Sequence, residues 1–134
     1  MVRALLFVCS GNTCRSPMAA AAAAARLGSS VTVRSAGIEC DEGLPAAGFA
    51  VQVMQERGID LSKHESTDVA DLSLQEFDLV VALDPSVGRQ LARFGLKRLE
   101  EWDIEDPYGG TVETYRATAN AIERALSTLL SAIQ

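Results

Sequence analysis

Ala4-Leu5-Leu6-Phe7-Val8-Cys9-Ser10-Gly11-Asn12-Thr13-Cys14-Arg15-Ser16-Pro17 decides the fold. The five apolar residues at its start read as a strand buried on both faces of a parallel sheet. Ser16 is a good N-cap and Pro17 a good first helical residue, so a helix is expected from Met18 to about Leu27, stopped by Gly28. Strand, tight loop, helix is the order of an oxyanion site. A helix N-terminus offers unpaired amides and the positive end of a dipole, and a loop can wrap its own amides into a nest. Gly11 and Asn12 tolerate the left-handed backbone such a loop needs, and Asn12 is expected to hold the strained shape. Arg15 can grip two phosphate oxygens with its planar fork. Cys9 then sits at the bottom of a cationic cradle that favours its thiolate, a nucleophile aimed at phosphorus.

Outward from this stretch, strands and helices alternate. Val31 to Ser35 and Leu79 to Leu83 read as further strands, and Lys97 to Glu101 as a short fourth. Ala46 to Arg57, with Phe49, Val53 and Met54 on one face, and Pro85 to Phe94 read as helices. Asp71 to Glu76 reads as a short helical turn. Thr111 to Ile133 is a long amphipathic helix with Tyr115, Ala119, Ile122, Leu126, Leu129 and Ile133 on its apolar face. This order predicts one three-layer α/β/α sandwich over residues 1–134, with a central four-stranded parallel sheet. The loops after Cys9, Gly37 and Asp84 open beyond the carboxyl ends of three strands, where ligands bind in such sheets.

Composition narrows the function. The 134 residues carry a net charge of −6, with 48% hydrophobic and 22% charged residues. An acidic chain is a poor nucleic-acid binder, and its phosphate must be held by a local, backbone-built site. No apolar run is long enough for a membrane span, and no secretory leader is expected. Three cysteines without framework spacing fit a reduced cytoplasm. No cofactor or metal is expected, because no His, Cys and Asp cluster has ligand spacing. His64, the only histidine, reads as a structural hydrogen bonder.

Val8 to Pro17 resembles the signature loop of the low-molecular-weight protein tyrosine phosphatases. Arg34-Ser35-Ala36-Gly37 resembles that family's second-strand ending, Phe77 to Asp84 its third strand and acidic turn, and Asp106-Pro107-Tyr108 its acid loop. The resemblance implies a phosphotyrosine protein phosphatase I-like fold. It also implies hydrolysis of phosphorylated protein or peptide through a phosphocysteine, with inorganic phosphate as product. Cys9, Arg15 and Asp106 are then the catalytic residues, Asp106 ahead of Glu105 as general acid. Ser10, Gly11, Asn12, Thr13, Cys14, Ser16 and Tyr108 are the expected substrate-binding residues. Ser16 would also stabilise the Cys9 thiolate, and Cys14 could form a reversible disulfide with Cys9.

Three features depart from the tyrosine-specific pattern. Ser10 stands where a large aliphatic residue usually follows the nucleophile. Ile38 to Pro45 lacks an aromatic residue, and Tyr108 is followed by Gly109-Gly110. These features resemble the bacterial protein arginine phosphatases, a branch of the family with Thr after the nucleophile. Phosphotyrosine and phosphoarginine both stay open as substrates. Arsenate reductase on the same scaffold is the alternative, weakened because Asp84 to Phe94 carries no cysteine. A non-catalytic phosphate-binding module is the third reading.

Overall fold

The structure, a computed structural model, describes residues 1–133. Four parallel strands form one sheet: β1 (Ala4–Cys9), β2 (Thr32–Gly37), β3 (Leu79–Ala82) and β4 (Leu99–Glu101), in the order β2-β1-β3-β4. The helices are α1 (Arg15–Leu27), α2 (Gly48–Glu56), α3 (Pro85–Leu91) and α4 (Val112–Ile133). The expected three-layer arrangement is the one observed.

β1 is central because its sequence leaves no polar face. Leu5, Leu6, Phe7 and Val8 are all fully buried. Alternate side chains of a strand point to opposite sides, so Leu5 and Phe7 enter one core with α1, α2 and α4. Leu6 and Val8 enter the other with Val87 and Leu91 of α3. The alanine-rich α1 buries Ala19, Ala22 and Ala23, whose short side chains let the helix lie close to the sheet and to α4. α4 buries Tyr115, Ala119, Ile122, Leu126 and Leu129 as its periodicity predicts, together with Thr118 and Leu130. Ile133 is only partly buried.

Several boundaries differ from the sequence reading. α1 begins at Arg15, and Ser16 is no cap: its hydroxyl is used inside the fold, and Pro17 falls third in the helix. An amide at that position has no intrahelical partner, so proline is tolerated there. α2 begins at Gly48. Ala47 is extended and its amide donates to the Thr13 carbonyl at 2.9 Å, which holds Ala46 and Ala47 out of the helix. Phe49 therefore lies in the first turn, at the core's edge and 42% exposed, while Val53 and Met54 are buried. α3 gives way to a 3₁₀ turn over Ala92–Phe94, ended by the left-handed Gly95.

Candidate active site

The loop after β1 is locked from behind. Asn12 is left-handed, with φ of 56°, whereas Gly11 is not. The Asn12 carboxamide donates to Ser16 Oγ at 2.7 Å and Ser35 Oγ at 3.0 Å, and accepts from the Thr67 amide at 2.9 Å. The Asn12 backbone carbonyl accepts from the His64 ring at 2.7 Å, the structural bond expected of that histidine. Left-handed backbone costs a non-glycine residue about 1 kcal/mol or more. Four hydrogen bonds to fully buried Asn12 compensate that cost. Ser16 Oγ lies 2.9 Å from Cys9 Sγ, so its hydroxyl can donate to a thiolate. Gly37, where β2 ends, must be glycine, because a Cβ there would lie 2.7 Å from both the Ser10 carbonyl and Cys40 Sγ.

A cavity of about 260 Å³ opens above this loop, lined by Cys9, Ser10, Gly11, Thr13, Cys14, Arg15, Asp106 and Tyr108. Residues 97 positions apart, Cys9 and Asp106, thus share one small space. The side chains of Asn12 and Ser16, expected among the substrate-binding residues, do not line it. Both are fully buried behind the loop, where they shape it.

Arg15 is 3% exposed. One guanidinium nitrogen donates to Asp84 Oδ2 at 2.7 Å and to the Ile104 carbonyl at 3.0 Å. The other lies 3.7 Å from Asp106 Oδ2. The sequence offered Asp84 as a residue at a strand end and, by the family resemblance, as part of an acidic turn. It also caps α3, accepting from the Val87 amide at 2.8 Å. Burial alone would raise the Asp84 carboxyl, but the Val87 amide and Arg15 hold it below the usual carboxylate range. The signal for Asp84 was Asp-Pro ahead of an apolar helical run; its reach back to Arg15 had no local trace.

Asp106 is held lightly. Its Oδ1 accepts from the Tyr108 amide at 3.0 Å, and its side chain is 52% exposed. Tyr108 is 77% exposed. The loop carrying Asp106 is anchored at its base, where the Ile104 amide donates to the Leu83 carbonyl at 2.9 Å and Trp102 packs on Phe7 with ring centroids 5.5 Å apart. Gly110 ends the turn, since a Cβ there would lie 2.9 Å from the Pro107 carbonyl and Thr114.

The buried Tyr115 hydroxyl reaches Cys14 Sγ at 3.4 Å. Burial raises the Cys14 thiol; bonds to Tyr115 and Thr13 oppose this, while the negative charges of Asp106 and Cys9 add to it. Burial also raises Tyr115, so its hydroxyl stays protonated and available as a donor. Cys40 lies outside the cavity, its thiol directed at the Thr67 carbonyl at 3.4 Å.

The sequence model of the low molecular weight phosphotyrosine protein phosphatases matches residues 4–134. The chain belongs to this family. It is 35% identical to a protein-arginine-phosphatase of Geobacillus stearothermophilus over 143 residues, covering 97% of this chain and 95% of that one. It is 33% identical to the probable low molecular weight protein-tyrosine-phosphatase EpsP of Ralstonia nicotianae over 135 residues, covering 94% and 92%. The crystal structure of a YwlE mutant from Bacillus subtilis superposes with a TM-score of 0.87 at 32% identity, covering 98% of each chain. Arsenate reductases are more distant relatives. Among the described residues, no helix is long and apolar enough to cross a membrane.

Proposed function

We propose that residues 1–134 act as one phosphatase unit that hydrolyses phosphorylated protein side chains, with phosphoarginine favoured over phosphotyrosine. The observation that carries the reading is the shared cavity: Cys9 at its floor, the signature loop around it, and Asp106 at its mouth. The Cys9 thiolate attacks phosphorus and expels the leaving nitrogen or oxygen, which takes the proton of Asp106. Water then attacks the phosphocysteine and gives its proton to the Asp106 carboxylate. Phosphate leaves and the thiolate returns. Arg15 and the loop amides hold the equatorial oxygens through both steps. Ser16 steadies the thiolate each time it forms. No cofactor takes part, and a reducing cytoplasm keeps Cys9 competent.

The walls favour the guanidinium. A phenyl ring needs apolar surfaces on its faces, and Tyr108 is the one aromatic side chain lining this cavity. Ser10 and Thr13 line it with hydroxyls, which suit a polar leaving group. The arginine phosphatase relative supports the same choice.

The test is kcat/KM on matched phosphoarginine and phosphotyrosine peptides, for the wild type and for Ser10→Ile. The wild type is expected to prefer phosphoarginine. Ser10→Ile should shift the ratio toward phosphotyrosine by about 1–3 kcal/mol, the scale of one buried polar mismatch. A wild-type preference for phosphotyrosine would overturn the substrate choice but not the chemistry.

A further inference from the structure

We propose that Phe49 is a docking point for the protein substrate, taking an apolar side chain that flanks the phosphorylated residue. This rests on the phosphatase reading above. Among the described residues, five large apolar side chains are exposed: Met1, Leu44, Phe49, Phe94 and Tyr108. Tyr108 lines the cavity mouth. Phe49 is tied to the same rim by two routes. The residue two before it, Ala47, donates to the carbonyl of Thr13, which lines the cavity. Its ring stands edge-on to Tyr115, with centroids 5.6 Å apart and planes at 67°, and Tyr115 in turn reaches Cys14 of the signature loop.

Phe49 is thus an aromatic ring fixed from below and open above. An anchor held this way loses little freedom on binding. A cavity of about 260 Å³ takes the phosphoryl group and the atoms next to it, so the substrate's backbone must cross the rim. Gly37 abuts the Ser10 carbonyl, and the loop after it carries the exposed acids Glu39, Asp41 and Glu42. Phe49 and Tyr108 offer the apolar landing surface instead. Phe49 makes no demand on the chemistry: it does not line the cavity, and its exposed part has no packing role.

The experiment uses two phosphopeptides, identical except that both neighbours of the phosphorylated residue are Leu in one and Gly in the other, and a small aryl phosphate. Wild type, Phe49→Leu and Phe49→Ala are compared by kcat/KM. The wild type is expected to prefer the Leu peptide by about tenfold, the scale of burying one aliphatic side chain. Phe49→Leu should keep much of that preference and Phe49→Ala lose it, with aryl phosphate turnover unchanged in both. Binding of the same peptides to Cys9→Ser reads the preference without turnover. If the wild type fails on the aryl phosphate, the phosphatase reading fails, while the binding preference still decides the role of Phe49. No wild-type preference, or an equal loss on all three substrates, would overturn the docking role. So would a change in self-association of Phe49→Ala with the peptide preference intact, since a second copy would then be the occupant.

Discussion

Residues 9–16 and residues 103–110 face the same cavity, yet the first stretch is cross-tied and largely buried while the second stands mostly in solvent. Asn12, Arg15 and Ser16 are buried and bonded to β2, to the strand-end residue Asp84, and to the segment around His64 and Thr67. Among the described residues, Asp106 has one hydrogen bond, to its own turn, and a looser contact with Arg15 at 3.7 Å. A site that must bind a tetrahedral anion the same way in both halves of a reaction gains from preorganised donors. A group that must deliver a proton, then recover it from water, gains from solvent contact and freedom to move. In the mechanism proposed above, the two loops divide the work along that line.

The sharpest way to break this contrast is Cys9→Ser. The rigid loop should keep its shape, so phosphate or vanadate binding should persist while turnover falls at least about a thousandfold. Residual activity of more than a few per cent would rule out the phosphocysteine. Next is Asp106→Asn. It should slow cleavage of substrates with poor leaving groups by roughly 10²–10⁴, and activated aryl phosphates far less. An equal loss on both would make Asp106 a binding group and erase the distinction between the loops.

Asp84→Asn should weaken the cross-tied side itself. It leaves buried Arg15 without its nearest carboxylate and should cost about 1–3 kcal/mol at neutral pH. The folded Asp84 carboxyl lies below its unfolded value. Its contribution is therefore present in full well above the unfolded value of about 3.9 and is lost as pH falls through the folded one. The gap between denaturant melts of wild type and variant should accordingly begin to narrow as pH falls past about 3.9 and close only below the folded value. Smallest is Cys14→Ser. Initial activity should stay close to wild type, but recovery from mild peroxide should be lost, because no Cys9–Cys14 disulfide can shield the nucleophile. Peptide mapping that joined Cys9 to Cys40 instead would refute this pairing.

The same contrast governs what the sequence could reveal. The strand, loop and helix at the N-terminus were legible because apolar run, Gly-Asn and Arg lie within a dozen residues. Asp106 was legible only beside that loop, since Asp-Pro-Tyr-Gly-Gly alone is an ordinary turn. The local rule for Ser-Pro makes Ser16 a cap, which it is not; its contact with the Cys9 thiol, at 2.9 Å, was legible only through the family resemblance. Ala46 and Ala47 were misread as helical because alanine's propensity says nothing of a distant carbonyl that claims the Ala47 amide. Asp84, 69 positions from Arg15, and Tyr115, 101 from Cys14, show pairings that no local period encodes.

β1 has a neighbour on each side and four fully buried residues running up to Cys9. In hydrogen exchange, such a strand opens only when the whole domain does. The Cys9 thiol is thus attached to the last part of the protein to come apart, and the Asp106 carboxyl to one of the first. Amides of β1 should exchange through global unfolding and those of residues 105–110 through local opening. On heating, the ability to bind phosphate should outlast the ability to protonate a leaving group.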